Sequence, residues 1–202
     1  MKMLLVTAAL ALAANTAFAV ATVGQPASAF TVQDSSGKPV SLADFKGKHV
    51  VLEWVNPGCP YVVKHYGSNN MQGTQKDAAA KGVVWLAVNS TSAEHGDYKA
   101  PAAMAQWMQQ HKAAPSATLM DADGKVGRAY GARTTPHMYL IDPQGKLLYA
   151  GAIDSIPSAN VADLKTATNY VNQALGEALA GKAVSKPTSQ AYGCSVKYAN
   201  AG

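Results

Sequence analysis

The segment VLEWVNPGCPYVVKHY, residues 51–66, limits the possible folds of this chain more than any other part of the sequence. It belongs to a continuous β-prone run over residues 49–55, which is typical of a strand buried on both faces. An Asn-Pro-Gly turn ends this run, and Pro60 suits the first turn of a helix. The sequence therefore predicts a strand-to-helix junction with Cys59 in the turn.

The rest of the chain carries further strand and helix signals. The pattern predicts a second buried strand at residues 82–88, a helix that begins near Pro101, and a β-hairpin with strands at 136–141 and 147–152. Apolar residues at helical spacing, between an Asn cap and a Gly stop, predict one long amphipathic helix over residues 160–181. Buried strands that alternate with helices, followed by a hairpin and a last helix, indicate a three-layer α/β domain.

The first 19 residues have the pattern of a secretory leader. Lys2 precedes an apolar run of about a dozen residues, which ends in the small-x-small sequence AFA at residues 17–19. An anchoring transmembrane helix would need about 20 apolar residues, and a polar Asn-Thr pair interrupts this run. We therefore predict a cleavable signal peptide, a mature chain that begins near Val20, and a periplasmic or secreted protein.

Length and composition indicate a single domain. The chain has 202 residues, 48% of them hydrophobic, which is enough for one substantial core. We divide it into a signal peptide at 1–19, a domain at 20–182 and a polar tail at 183–202 that carries Cys194. No segment after the leader is apolar enough to span a bilayer, so we expect that the mature protein is not membrane-embedded. The 17 basic and 12 acidic residues give a formal charge of +5 without any basic run, so we expect no nucleic-acid partner.

Cys59 has the sequence position of a reactive thiol. In a turn before a helix, its sulfur lies near the positive end of the helix dipole and near unpaired backbone N–H groups, which favour the thiolate. Since the thiolate is the nucleophile, we expect the pKa of Cys59 to lie below the free-thiol value of about 8.5. The alternative is a buried, inert cysteine that acts as a small hydrophobe. The flanking turn favours the reactive interpretation.

The sequence contains one other cysteine, Cys194 in the tail. In an oxidising compartment, two cysteines are expected to be paired or to cycle between paired and free. Tyr192, Val196 and Tyr198 surround Cys194, and a purely disordered tail would seldom carry so many large apolar groups. We therefore expect the tail to dock and Cys194 to be the disulfide partner of Cys59. A free thiol, a bound ligand and an intermolecular bridge are the alternatives.

Several motifs in combination resemble the thioredoxin fold. Trp54 precedes a turn cysteine at a strand-to-helix junction, Thr135-Pro136 opens the next-to-last strand, and the sequence SLADFKGK at residues 41–48 precedes a buried strand. More narrowly, these motifs resemble the peroxiredoxin-like redoxins of the alkyl hydroperoxide reductase and thiol-specific antioxidant (AhpC/TSA) superfamily. The resemblance implies a three-layer thioredoxin-like fold with a central mixed sheet, flanking helices, an N-terminal extension and a C-terminal tail that carries a cysteine.

The resemblance also implies an activity, that of a thiol-dependent oxidoreductase. Cys59 takes the first-cysteine position, with Pro136 as a cis-proline opposite it, and Cys194 is the candidate resolving cysteine. The substrate-binding candidates are Trp54, Asn56, Tyr61, Thr135 and Pro136. In this group, the two aromatic rings would form an apolar wall around the sulfur, the asparagine would donate a hydrogen bond, and Thr135-Pro136 would present backbone to an extended partner strand.

The expected partners follow from the same chemistry. They are a protein that carries a disulfide, or a small oxidised substrate, together with an external thiol reductant. We expect neither a cofactor nor a metal.

The sequence departs from the related sites, and these departures keep two other functions open. Val62 stands where a thioredoxin motif has its second cysteine. Asn56, Leu52 and Pro136 stand where a typical peroxiredoxin has threonine, proline and arginine, and Arg133 is close to the last position but not in register. A thiol peroxidase with an altered site is the second candidate function. The third is a non-catalytic binding module whose cysteines form a structural disulfide or hold copper.

Two histidines bear on the copper alternative. The fold could bring His65 and His137 near the thiol, where Met71 and Met138 would add soft ligands. We favour instead His65 as a surface helix residue and His137 as a strand residue with ordinary hydrogen bonds.

Overall fold

The computed structural model describes residues 20–199, so the predicted signal peptide lies outside the described part of the chain. Two 3₁₀ segments accompany the regular elements, at Leu42–Phe45 and Val161–Lys165. The strands are β1 Thr31–Gln33, β2 Pro39–Ser41, β3 Val50–Trp54, β4 Val84–Asn89, β5 Ala117–Met120, β6 Thr134–Thr135, β7 His137–Ile141, β8 Leu147–Gly151 and β9 Cys194–Ser195. The helices are α1 Pro60–Gly67, α2 Asn70–Ala80, α3 Pro101–Gln110, α4 Lys125–Tyr130 and α5 Tyr170–Leu179.

A five-stranded mixed sheet forms the centre of the fold, in the order β5-β4-β3-β7-β8. The strands β3, β4 and β5 run parallel, whereas β7 is antiparallel to β3 and β8 is antiparallel to β7. Every residue of β3 is buried, as its continuous apolar pattern predicts. The carboxyl end of this central strand leads directly into the turn that holds Cys59.

The two faces of the sheet are covered by different elements, which gives three layers. Helices α1, α2, α3 and α5 pack on one face, in the hydrophobic cluster that includes Val51, Val55 and Cys59. Helix α4 and the β1–β2 hairpin pack on the other face, in the cluster that includes Leu52 and Trp54. Since successive side chains of a strand point to opposite faces, β3 contributes to both clusters alternately. The predicted α/β architecture with a central mixed sheet is confirmed.

The sequence predicted most of the elements around the site. The buried strands β3 and β4, the helices that begin at Pro60 and Pro101, and the β7–β8 hairpin are confirmed. Helices α2 and α4 and the short strands β5, β6 and β9 were not predicted. Strands β6 and β9 have only two residues each, so their formation depends on tertiary contacts rather than on a local pattern.

The prediction of one long helix over residues 160–181 is wrong. Asn160 caps only the 3₁₀ segment at Val161–Lys165, and a new helix begins after Asn169, whose side chain accepts from the N–H of Asn172 at 2.9 Å. Between them, Thr168 bonds to Ser155 through its own backbone groups. These bonds to Ser155 occupy the backbone groups of Thr168 that a continuous helix would need, so the two helical segments stay separate. The expected apolar stripe is broken too, because the Val161 side chain is 50% exposed.

The C-terminal tail returns along the sheet instead of leaving the domain. The Ala150 amide donates to the Pro187 carbonyl and the Ser189 amide to the Ala150 carbonyl, so the tail first follows β8. It then pairs with β6 through β9 and ends on α4, where the Tyr198 hydroxyl donates to the Ala132 carbonyl at 2.8 Å. Among the helices of residues 20–199, none combines the length and the apolar character needed to cross a membrane.

Candidate active site

Cys59 occupies the N-cap position of α1, with its side chain only 2% exposed. Its amide donates to the Asn56 carbonyl at 3.0 Å, and the Asn56 side-chain oxygen accepts from the Gly58 amide at 2.7 Å. The Asn56 amide nitrogen donates to the Thr91 hydroxyl at 3.2 Å. Asn56 therefore fixes the turn that presents the sulfur, and its donor is engaged by Thr91 rather than directed to a substrate.

A cis peptide bond between Thr135 and Pro136 lies against the sulfur, as the resemblance implied. The Cys59 thiol donates to the Thr135 carbonyl oxygen at 3.0 Å. The Thr135 hydroxyl is buried and has no hydrogen-bond partner within the described chain in this resting arrangement. This hydroxyl can donate to the Cys59 thiolate, and that interaction lowers the pKa of the thiol. Thr135 therefore offers the sulfur an acceptor when it is protonated and a donor when it is ionised.

The second thiol reaches the site from the tail. Strand β9 pairs antiparallel with β6, and Cys194 lies directly opposite Thr135 in this short ladder. Cys194 is half-buried and packs on the cluster that contains Cys59, and both cysteines are present as thiols. The preceding Gly193 has a φ of +132°, and a Cβ there would overlap the Thr135 carbonyl oxygen. Only glycine allows the tail to approach the cis peptide this closely.

The two thiols have unequal acidity because of their surroundings. Burial acts to raise the pKa of Cys59, but the Cys194 thiol, the Thr135 hydroxyl and the backbone amides of Val62 and Cys194 can each donate to the thiolate, and together they outweigh burial. The pKa of Cys59 therefore lies below its ordinary value. Burial and the neighbouring Cys59 sulfur raise the pKa of Cys194 to about 12. When the reduced pair loses one proton, Cys59 therefore ionises before Cys194.

The remaining predicted site residues are Tyr61, Pro136 and Trp54. Tyr61 is half-buried at the start of α1 and packs edge-on against Tyr192 of the tail, with ring centroids 5.7 Å apart. Pro136 is buried and continues from the β6 edge that pairs with Cys194. Trp54 does not fit the predicted wall around the sulfur. It is fully buried on the opposite face of the sheet, where its indole N–H donates to the Ser90 hydroxyl at 2.9 Å.

A buried charged cluster, formed by Lys64, His65 and Asp154, lies beside the site. Lys64 Nζ is 3.4 Å and His65 Nε2 is 3.7 Å from the same Asp154 oxygen, and all three residues are at most 3% exposed. The prediction of His65 as a surface residue is therefore wrong. Its pKa falls to about 4, first because of burial, so the ring is neutral at neutral pH. No helical pattern in the sequence indicated a lysine and a histidine in the core, and this cluster was not predicted.

His137 behaves as an ordinary strand residue. Its Nδ1 lies 3.3 Å from the Arg133 amide and 3.1 Å from the Tyr139 hydroxyl, which confirms the structural interpretation. Burial, followed by the Arg133 charge, lowers its pKa to about 4. Within residues 20–199, no three His, Cys, Asp or Glu side chains come close enough together to hold a metal ion.

A second buried acid, Glu53, lies on β3 at the face that also packs against α1 and α2. It accepts hydrogen bonds from the Trp85 indole, the Tyr66 hydroxyl and the Gln75 amide, and it is fully buried. Desolvation raises the pKa of Glu53 to about 7, although these three donors act in the opposite direction. No sequence pattern indicated a special role for Glu53, because it lies inside an otherwise apolar strand.

The fold and the thiol facing a cis-proline define the class of protein: a redoxin with the thioredoxin fold. The chain belongs to the AhpC/TSA family, whose sequence profile matches residues 23–150. The predicted resemblance is therefore confirmed.

Several known proteins are similar to this chain. It is 26% identical over 132 residues to the thiol-disulfide oxidoreductase ResA of Bacillus subtilis, a match that covers 62% of this chain and 64% of ResA, less than two thirds of that protein. An uncharacterized conserved protein of Geobacillus kaustophilus is 27% identical with a TM-score of 0.74, covering 90% of this chain and 94% of that one. A candidate thiol:disulfide interchange protein DsbE of Chlorobium tepidum is 26% identical with a TM-score of 0.59, covering 79% and 99%.

Proposed function

We propose that this protein is a thiol-disulfide oxidoreductase in which Cys59 is the nucleophile and Cys194 is the resolving cysteine. The observation that carries the proposal is the register of the β6–β9 ladder, which places Cys194 opposite Thr135, the residue whose carbonyl accepts from the Cys59 thiol. The absent second cysteine at Val62 is thereby replaced by a thiol from the tail. The name thiol-disulfide oxidoreductase, carried by ResA, supports the same reaction type.

The proposed reaction consists of two thiol-disulfide exchanges. The Cys59 thiolate attacks one sulfur of a substrate disulfide, and the other substrate sulfur leaves as a thiolate. Deprotonated Cys194 then attacks the Cys59 sulfur, which forms the Cys59–Cys194 disulfide and releases the second substrate sulfur. The substrate gains two electrons and the two protons of the protein thiols, and the protein loses them. An external dithiol reverses the change in the protein.

The unequal acidity of the two thiols supports this order of attack. Cys59 has the lowered pKa and is therefore the first nucleophile. The raised pKa of Cys194 follows first from burial and then from its hydrogen bond and charge interaction with Cys59. Once Cys59 enters a mixed disulfide, its sulfur carries no charge, so its contribution to the raised pKa is lost. Cys194 then ionises more readily at the step in which it must attack.

The substrate would be a polypeptide with a disulfide, or a smaller disulfide, that reaches Cys59 along the β6 edge. An extended segment can pair with the free backbone groups of an exposed strand edge. The tail occupies this edge at Thr134–Thr135. Because Cys59 is only 2% exposed beneath it, the tail has to move before a substrate disulfide can react.

Comparing disulfide reduction with peroxide consumption tests this proposal. Wild type, Cys59→Ser and Cys194→Ser are each supplied with dithiothreitol and either insulin or hydrogen peroxide. We expect wild type to accelerate insulin reduction, Cys59→Ser to be inactive, and Cys194→Ser to accumulate a mixed disulfide. Peroxide consumption that is fast and dependent on Cys59, without insulin reduction, would instead support a thiol peroxidase. Loss of neither activity in Cys59→Ser would exclude Cys59 as the nucleophile.

We also propose that the protein is exported, on the basis of the leader pattern in residues 1–19. The mature chain would begin near Val20. Intact-mass measurement of the protein recovered from the periplasm or the medium tests this. A mass that retains Lys2 would contradict it.

A further inference from the structure

A single buried carboxylate, that of Asp154, contacts both segments that carry the cysteines. It lies after β8 and is held by a bridge between its backbone and that of Asn169. Its side chain is 3% exposed, and Lys64 approaches one carboxylate oxygen, Oδ2, at 3.4 Å. Lys64 lies on α1, the helix that begins with Cys59. The carboxylate is thus tied to the segment that carries the nucleophile.

His65, the next residue on α1, faces the same carboxylate oxygen. The Asn70 side-chain amide donates to His65 Nδ1 at 2.8 Å, so the proton of the neutral ring is on Nε2. Nε2 is buried, points toward Asp154 Oδ2 at 3.7 Å, and has no hydrogen-bond partner in the described chain. The α1 side of the carboxylate therefore presents one cation and one N–H group.

The other carboxylate oxygen, Oδ1, contacts the tail. It accepts a hydrogen bond from the Tyr192 hydroxyl and another from the Ile156 amide at 3.0 Å. The Tyr192 ring also packs edge-on against Tyr61 and lies 5.8 Å from Lys64 Nζ. Tyr192 precedes Cys194 by two residues, a distance of roughly 7 Å along an extended chain. Fixing this hydroxyl therefore limits how far Cys194 can move from β6.

We propose that Asp154 is a positioning residue and that its bond to Tyr192 is the latch that holds Cys194 against Cys59. The proposal rests on the proposed function, since it concerns how the resolving thiol is held and released. A hydrogen bond from a hydroxyl to a buried carboxylate is charge-assisted, and such bonds are about twice as strong as neutral ones. On the C-terminal side of Cys194 the tail is held by neutral hydrogen bonds, such as those from the Val196 amide to the Arg133 carbonyl and from the Tyr198 hydroxyl to the Ala132 carbonyl. The latch is the charge-assisted attachment on the N-terminal side of Cys194.

The latch has two opposite consequences for the two cysteines. While it is closed, the effective concentration of the Cys194 thiol at Cys59 is high, which stabilises the intramolecular disulfide. The closed tail also covers Cys59 and slows its reaction with external molecules. Weakening the latch should therefore destabilise the disulfide and expose Cys59 at the same time. A general loss of packing would not affect the disulfide equilibrium selectively.

Tyr192→Phe tests the proposal, because it removes the hydroxyl and keeps the ring. We expect the equilibrium constant for forming the Cys59–Cys194 disulfide against glutathione to fall about tenfold, the ratio that corresponds to about 1.4 kcal/mol. In a Cys194→Ser background, the same change should raise the rate of Cys59 alkylation by iodoacetamide by a similar factor. Tyr170→Phe is the matched control, because the Tyr170 hydroxyl makes no hydrogen bond within residues 20–199 and its loss should change neither value.

The role of Asp154 is tested by combining variants. In an Asp154→Asn background, the bond accepted by the side-chain oxygen is neutral, so Tyr192→Phe should have a clearly smaller effect on the disulfide equilibrium. If Asp154→Asn does not fold, the alkylation and equilibrium measurements on Tyr192→Phe alone still test whether the Tyr192 hydroxyl holds the tail. Unchanged values in Tyr192→Phe would overturn the proposal. Failure of insulin reduction, with the latch effects present, would overturn only the proposed function.

Discussion

Cys194 lies directly opposite Thr135 in an antiparallel ladder. This ladder brings Cys194 to the site of Cys59, a residue 135 positions earlier in the sequence. The Thr135 carbonyl accepts from the Cys59 thiol at 3.0 Å. Thr135 thus contacts Cys59 through its carbonyl and lies opposite Cys194 in the ladder, so one residue adjoins both cysteines.

The more buried thiol, that of Cys59, should react faster than the more exposed thiol of Cys194. Cys59 is buried and Cys194 is half-buried, yet the pKa of Cys59 is lowered and that of Cys194 is raised to about 12. In the reduced protein at pH 7 to 8, limiting iodoacetamide should therefore label Cys59 first. Peptide mass spectrometry after single labelling measures the ratio. Preferential labelling of Cys194 would contradict the assigned roles.

Thr135→Val should slow the reaction of Cys59. The substitution removes the buried hydroxyl that helps to stabilise the thiolate, while the carbonyl and the strand remain. A lost hydrogen bond to a charged group corresponds to a decrease of roughly tenfold in thiolate at neutral pH. The pH dependence of alkylation should shift to higher pH. Thr134→Val is the control, because the Thr134 hydroxyl bonds instead to the Pro136 carbonyl at 3.1 Å and its loss should leave the profile in place.

Gly193→Ala should release the tail from β6. A Cβ at this position would overlap the Thr135 carbonyl oxygen, and the φ of +132° is strained for alanine. The backbone strain alone is of order 1–3 kcal/mol, so pairing of β9 should be lost before the domain unfolds. Hydrogen exchange at the Val196 amide, which donates to the Arg133 carbonyl, should become fast.

Disulfide formation between Cys59 and Cys194 should slow in the same variant. Gly176→Ala serves as the control, since a Cβ there meets no atom within 4 Å and alanine suits a helix. Retained protection of Val196 in Gly193→Ala would mean that the tail tolerates the added methyl group.

Glu53→Gln should change how stability depends on pH. The pKa of Glu53 is about 7 in the folded protein and 4.5 as its ordinary value, so the folded state binds this proton more tightly. The contribution of Glu53 to the free energy of unfolding should therefore decrease as pH rises from about 4.5 to 7, by about 3 kcal/mol, and stay low above pH 7.

The measurement is the difference between wild type and Glu53→Gln in urea unfolding from pH 4.5 to 8. Taking a difference is necessary because the buried His65 and His137, with pKa values of about 4, give the opposite slope over part of this range. Glu94→Gln is the control on an exposed glutamate and should show no such difference. A constant difference across the range would mean that the pKa of Glu53 is the same in the folded and the unfolded state.

The parts of the site that sequence could predict are those set by neighbouring residues. The buried run of β3, the turn after it and the start of α1 at Pro60 are local patterns, so the position of Cys59 at a helix N-terminus followed directly. The family resemblance predicted the cis bond at Thr135-Pro136, which the structure contains. The pattern failed at residues 160–181, where side-chain and backbone bonds at Thr168 and Asn169 divide an apparently continuous helix.

The sequence alone therefore determined the fold class, the place of Cys59 at the start of a helix and the existence of one possible partner cysteine. Tertiary structure decided that Trp54 faces away from Cys59, since alternation along β3 sends it to the opposite face of the sheet. It also decided that Cys194 reaches β6 and that Lys64, His65 and Asp154 share one buried site. These contacts join segments about 60 to 90 residues apart, and no local propensity or periodicity encodes them, because they depend on how whole elements pack.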